Sequence, residues 1–333
     1  MTPFSLQQYL SLEQREHGLD PALARLIFGI SDACAMIGSK VRSGALAGVL
    51  GLAGTENVQG EDQKKLDVIS NDIFVEAVAR TASVSGMVSE EVDHVIRVPD
   101  ELPVGPYLIC FDPLDGSSNI DINVSIGSIF SILPAPRITH DVSDADFLQP
   151  GRNILAAGYC IYGPQTQLVL TLGRSLVMFT RDPATGTFRL TREEVKVSES
   201  AKEFAINMSN QRFWEPAVQL YVSELLQGAE GPRAKNYNMR WIAAMVAEVH
   251  RILQRGGIFM YPRDSRNPGR PGKLRLMYEA APMAKIMETA GGAATNGLQP
   301  ILDIVPQGIH ERVAVFLGAK EEVTRVTEYH KVK

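Results

Sequence analysis

The segment YLICFDPLDGSSNID, residues 107–121, sets two aspartates three positions apart directly behind a continuous apolar run. Residues 107–111 (YLICF) are bounded by Gly105-Pro106 and Pro113, and a short apolar run without polar alternation predicts a strand buried on both faces. Asp112 then stands at the strand end. Pro113 stiffens the turn, so that Asp112 and Asp115 can face one side with the Leu114 carbonyl between them. Hard cations such as Mg²⁺ favour this set of oxygens. Behind the acids, Gly116, Ser117 and Ser118 offer consecutive backbone N–H groups at a helix or turn start, a way to hold phosphate without a cationic side chain.

A plain turn is the simpler explanation, because Asp, Pro, Gly, Ser and Asn all form turns. The buried strand, the spacing of the acids and the GSSN tail together favour a metal and phosphate site. A covalent aspartyl-phosphate enzyme would place its acids at i and i+2 after the strand. An EF-hand loop needs acids at odd positions and a closing glutamate, which this stretch lacks.

Outward from this centre, the chain has 333 residues, 45% hydrophobic and 21% charged, enough for two ordinary cores. Its net charge of -5 pulls it onto neither nucleic acid nor an anionic membrane, so an anionic ligand must meet a local patch. Cys34, Cys110 and Cys160 lie apart in apolar runs, which suits buried thiols rather than disulfides or a zinc site. No basic n-region with an apolar core opens the chain, and no apolar run is expected to reach the roughly 20 residues of a membrane span. The expected location is the cytoplasm.

Asp20-Pro21 predicts a helix start, followed by Leu23, Leu26, Ile27, Ile30, Cys34, Ile37 and Val41 at helical spacing. The glycines at 44, 48, 51, 54 and 60 favour a flexible loop over residues 51–62. A helix resumes near Leu66 with Ile69, Ile73 and Ala77 on one face. Strands are expected over 125–132, 156–162, 167–172 and 177–180, several joined as hairpins. From residue 199 the pattern shifts to helices over 216–226, 241–254 and 282–290 with short strands over 257–261 and 313–317. The expected boundary lies near residue 195: a mixed-sheet, metal-binding domain over 1–195 and an α/β domain over 196–333.

Multinuclear Mg²⁺ sites need four or more carboxylates. Glu90 and Glu91 follow an apolar Met-Val pair and could end a strand; Asp67 sits where it could cap its helix; Glu279 ends an apolar run before a helix opened by Pro282. Each alone has a bland explanation in surface charge or capping.

Read together, KKLDVISND, SEE, CFDPLDGSSNID, LQPGRN, AAGYCIYG, MVAEVHRIL, GGIFMYP, GKLRLMYE and AGG resemble the class 1 fructose-1,6-bisphosphatases of the lithium-sensitive, Mg²⁺-dependent sugar and inositol phosphatase superfamily. The resemblance covers most of the chain in order. It implies an α/β (α+β) fold, a layered α-β-α-β-α sandwich of two subdomains. It also implies Mg²⁺-dependent hydrolysis of the 1-phosphate of fructose 1,6-bisphosphate, with two or more Mg²⁺ (or Mn²⁺) per subunit. The positions of Glu90, Asp112, Leu114 (through its carbonyl), Asp115 and Glu279 are metal ligands in the family, with Glu61 implied as another. Asp67 and Glu91 look like the pair that orients and deprotonates the attacking water. Gly116, Ser117 and Ser118 would hold the departing phosphate, and Asn207, Tyr261 and Lys273 the 6-phosphate and sugar. Arg240 would reach over from a neighbouring subunit, so a homo-oligomer, usually a tetramer, is implied.

Asn210 and Trp241 stand where animal members have tyrosines, and the family's AMP-inhibition site is poorly matched around Asp20–Ala24, Pro106 and Pro134. The basic stretch with Arg263, Arg266, Arg270, Lys273 and Arg275 reads mostly as a solvated loop. A preference for sedoheptulose 1,7-bisphosphate is the nearest alternative, and a non-catalytic sugar-phosphate sensor the alternative of another class.

Overall fold

In the computed structural model, which describes residues 3–56 and 62–331, the central strand is Tyr107–Asp115, and all nine residues are buried. It lies third from one edge of an eight-stranded sheet. The spatial order is Phe188–Arg192, Leu176–Arg181, Thr166–Thr171, Ala156–Tyr162, Ile126–Pro134, Tyr107–Asp115, Val84–Ser89 and Ile96–Arg97. Neighbours are antiparallel except Val84–Ser89, which runs parallel to Tyr107–Asp115. The strands expected from 125, 156, 167 and 177 therefore form one antiparallel ladder, with bounds within two residues of expectation.

Side-chain alternation along the central strand divides the protein into layers. Tyr107, Ile109 and Phe111 face a core shared with helices Leu6–His17, Pro21–Ser43 and Lys65–Ala79. Leu108 and Cys110 face the opposite core, where helices Met245–Arg255 and Ala281–Thr289 lie between the two sheets. The second sheet has the order Asn238–Met239, Glu203–Ala205, Ile258–Tyr261, Val315–Gly318 and Ala293–Thr295. Phe259, Val315 and Leu317 point to the shared middle core. Phe204, Ile258 and Phe316 point outward, under helices Pro216–Gln227 and Lys320–Lys331. The result is the α-β-α-β-α sandwich.

The expected cap is present: the Asp20 side chain accepts from Ala22 N–H at 2.7 Å, and Pro21 opens the helix. By length and composition this helix also qualifies as a span, with a mean hydropathy of 1.4 over its best window, contrary to expectation. Its apolar face is consumed by the outer core, where Leu26, Ile30, Cys34 and Ile37 are wholly buried.

In the Lys65–Ala79 helix the buried row is Leu66, Ser70, Phe74 and Val78, with Ile69, Ile73 and Ala77 half-buried beside it. The row is displaced because Phe74 stacks on Phe111 of the central strand, at 4.4 Å between ring centres. The flexible loop expected from Gly51 is instead a two-stranded ladder of Leu52–Glu56 with Asp62–Lys64. Residues 57–61, and with them Glu61, lie outside the described residues. The helix expected from Trp241 begins only at Met245, after an extended segment with Ala243 in a left-handed conformation.

Candidate active site

The central strand does not stop at Phe111. It continues to Asp115 with a break in register: Asp112 faces Ile129 while Asp115 faces Gly127, so three steps on one strand meet two on its neighbour. In a regular strand residues i and i+3 point to opposite faces. The extra residue of this bulge restores both aspartates to one face and sends the Leu114 side chain into the outer core. Pro113 suits the irregularity, since it has no N–H to leave unpaired, and its carbonyl accepts from Ser128 Oγ at 2.8 Å.

Glu279 joins this pair from another part of the chain. Oxygens of Asp112, Asp115 and Glu279, all buried, lie within 4.8 Å of one another. Glu279 was expected at a strand end but sits in a π-helical turn, Leu276–Ala280, between the short strand Leu274–Arg275 and the Ala281–Thr289 helix. Such turns recur at functional sites because they re-aim single side chains. Glu90 follows directly on strand Val84–Ser89, its N–H bonded to the Phe111 carbonyl at 3.2 Å.

Arg275 is the residue that sequence reasoning placed wrongly. It is not in a solvated loop but buried, with Nη2 3.0 Å from Glu90 and Nη1 4.0 Å from Glu279, whose Oε2 also accepts the Arg275 N–H at 2.6 Å. The available signal was its setting: one arginine inside the apolar run Leu274–Met277, four residues before Glu279.

Crowding and burial leave the acids short of positive charge. Burial pushes the Asp115 carboxyl up to about 7, against a 2.7 Å hydrogen bond from Val246 N–H at the start of the Met245–Arg255 helix. Burial, with the charge of Glu90 adding, raises Glu279 to about 8. Asp112 is driven well above the ordinary carboxylate range by burial and by the charges of Glu90, Asp115 and Glu279. The donors are carboxylates with no thiol or imidazole among them, and Leu114 can add only its backbone. This chemistry fits a hard divalent cation.

Asp67 and Glu91 form a second acidic pair on the same cavity. Asp67 does cap its helix: Oδ2 accepts from Lys64 N–H at 2.8 Å. Its Oδ1, however, is buried and makes no hydrogen bond of good geometry among the described residues, with the Ser117 side chain beside the carboxyl. Glu91 Oε2 accepts from Gln63 Nε2 at 2.6 Å. Burial lifts both carboxyls to about 7.

The turn expected to hold phosphate follows the bulge. Gly116 has φ +83°, and a Cβ there would lie 2.6 Å from that of Ala244, so only glycine fits. Ser117–Asn119 is a 3₁₀ turn, whose first N–H groups have no acceptor within the turn. Together these residues line a cavity of about 310 Å³, which Lys64, Trp241, Tyr261 and Lys273 also border. Lys64 is held by Asp121 at 2.6 Å. Asn207 and Arg240 do not line it: Asn207 caps a 3₁₀ turn through Ser209, and Arg240 is half-exposed near Glu203.

Comparison with known proteins agrees along the whole chain. Residues 4–193 match the family model for the fructose-1-6-bisphosphatase N-terminal domain, and residues 197–331 that for its C-terminal domain. A crystal structure of Leishmania major fructose-1,6-bisphosphatase in holo form is 37% identical in sequence, covers 99% of this chain and 99% of that one, and superposes with a TM-score of 0.91. The apo form of the Leishmania major enzyme gives 35% identity, coverage of 98% and 99%, and a TM-score of 0.87.

Proposed function

This chain belongs to the fructose-1,6-bisphosphatase family and is a bisphosphatase, and on that premise we propose that its cavity hydrolyses the 1-phosphate of D-fructose 1,6-bisphosphate. Water attacks directly, giving fructose 6-phosphate and phosphate without a phosphoenzyme. The observation that carries this reading is the convergence of six carboxylates from distant segments on one cavity, beside a turn of open amides.

Asp112, Asp115, Glu279, Glu90 and the Leu114 carbonyl would hold two or more Mg²⁺ or Mn²⁺ per subunit, with Glu61 as a further ligand. Positive charge held there would offset the charge of the phosphate and of the leaving alkoxide. Arg275 keeps Glu90 and Glu279 oriented. Asp67 Oδ1, which makes no hydrogen bond of good geometry among the described residues, takes the proton of the attacking water, with Glu91 beside it. Because both carboxyls titrate near 7, one can accept a proton at neutral pH while the other holds one. The Gly116, Ser117 and Ser118 amides bind the phosphoryl oxygens as charge develops. Tyr261 and Lys273, with Asn207, hold the 6-phosphate end, and the exposure of Arg240 suits a contact made in a neighbouring subunit of a tetramer.

A second cavity of about 280 Å³ adjoins the first across Tyr261 and Lys273. That extra room favours a second reading, in which sedoheptulose 1,7-bisphosphate is also accepted. Phosphate release with Mg²⁺ is expected from the fructose ester, and comparable kcat/KM on both sugars would identify a dual enzyme. Release from neither sugar sinks the proposal.

The raised carboxyls carry a pH dependence. Asp112, Asp115 and Glu279 take up protons at higher pH than isolated carboxylates, so protons compete with cations and activity falls as pH drops. The midpoint of that acid limb should move to lower pH as Mg²⁺ is raised. A midpoint indifferent to Mg²⁺ in rate profiles contradicts the cation assignment.

A further inference from the structure

The motif MVAEVHRIL is not accounted for by the chemistry above, and its two charged residues, Glu248 and Arg251, sit behind the cavity wall. Trp241, Ala243 and Ala244 border the cavity and lead into the Met245–Arg255 helix. Ala243 holds φ +63°, a conformation unfavourable for a residue with a side chain, which persists only when its surroundings impose it. The constraints are visible on both sides. In front, Asn119 Nδ2 donates to the Ile242 carbonyl at 3.0 Å, Val246 N–H donates to Asp115 at 2.7 Å, and Ala244 packs on Gly116. Behind, Ile242 N–H donates to Glu248 Oε1 at 2.5 Å.

Glu248 is wholly buried, and its Oε2 accepts from Arg251 Nη2 at 3.1 Å and Nε at 3.2 Å. Arg251 in turn donates to Glu203 at 2.6 Å, and the other oxygen of Glu203 meets Arg255 at 2.5 Å. The helix has no side-chain bond from its own N-cap, Ala244. A buried carboxylate is costly unless paired, and this one is paired so as to present an oxygen to a single N–H beside the cavity.

We propose that Glu248, oriented by Arg251, is a positioning residue for the bisphosphatase reaction: by gripping Ile242 it presses the Trp241–Ala244 segment onto the Gly116–Asn119 turn, aligning the phosphate amides, Asp115 and Trp241. The inference rests on the reading that this cavity is the reaction site. Glu248→Ala should raise KM for fructose 1,6-bisphosphate about tenfold, as expected for one lost charge-assisted hydrogen bond, and raise the Mg²⁺ concentration for half-maximal rate. Glu248→Gln, which keeps an acceptor for Ile242, should recover part of the loss. In a Trp214→Phe background, leaving Trp241 as the one tryptophan, its emission should shift in Glu248→Ala.

Asn119→Ala loosens the same segment from the front without disturbing a buried charge. It should reproduce the KM and Mg²⁺ changes, and it decides the question if Glu248→Ala does not fold. Variants with a lowered Tm but unchanged KM and Mg²⁺ requirement would make Glu248 a purely structural ion pair and overturn the inference. A wild-type enzyme that releases no phosphate would instead remove the reading of the cavity itself.

Discussion

Asp67→Asn should lower kcat by about 10²–10⁴-fold, the usual contribution of a positioned base, while leaving the fold intact. The two oxygens of Asp67 separate the roles. Oδ2 caps the Lys65–Ala79 helix through Lys64 N–H, and an asparagine oxygen can accept that bond equally well. Oδ1 is buried and makes no hydrogen bond of good geometry among the described residues, so it is the oxygen placed to take a proton. Burial holds the folded-state carboxyl near 7, well above its ordinary value. A group with a raised carboxyl pKa disfavours folding once ionised: the penalty is absent below the unfolded value, grows as pH rises, and is complete above about 7. Asp67→Asn should accordingly unfold at a Tm equal to or above that of wild type at pH 8, and the gain should vanish toward pH 4. Rate measurements at saturating sugar and Mg²⁺, paired with calorimetry, test both halves. Wild-type kcat in the variant, or its unfolding at low temperature, would mean that Asp67 is a cap and nothing more.

Asp115→Asn is the second large effect, a loss of about 10²–10³-fold in turnover, comparable to removing one electrostatic stabiliser of the transition state. The bond from Val246 N–H to Asp115 Oδ2 can survive in the asparagine, so the helix start stays held. What disappears is a charge that the burial of Asp115 makes unfavourable in the absence of cations. By the same sign argument, the metal-free variant should match or exceed wild-type stability at pH 8, where the aspartate is ionised. Mg²⁺ should raise the Tm of wild type more than that of the variant, because ligands stabilise only the state that binds them. Equal Mg²⁺-induced shifts in the two proteins would show that Asp115 holds no cation, and a variant unfolded at low temperature would make it a structural turn residue.

Much of this was legible from local pattern. The apolar run before Asp112, the Asp20-Pro21 start and the hairpin spacing from residue 125 to 180 each express a preference within a few neighbours, and each element formed. The i, i+3 aspartates pointed to this cavity, but the reason they share a face was not a turn. A bulge around Pro113 does it, and a bulge is defined by the register of the partner strand, which no local window contains.

The sequence by itself determined the order of elements, the acids and amides available for chemistry, and the glycine demanded at position 116, because these depend on side-chain period and backbone sterics. Only the tertiary structure decided which charges became buried together. Arg275 left the basic loop for the acidic cluster, Glu279 arrived through a π turn, and Glu248 turned inward to hold Ile242. Charge burial is set by which segments fold against each other and by how much water they exclude. Those quantities belong to residues far apart in the chain and to no single stretch of it.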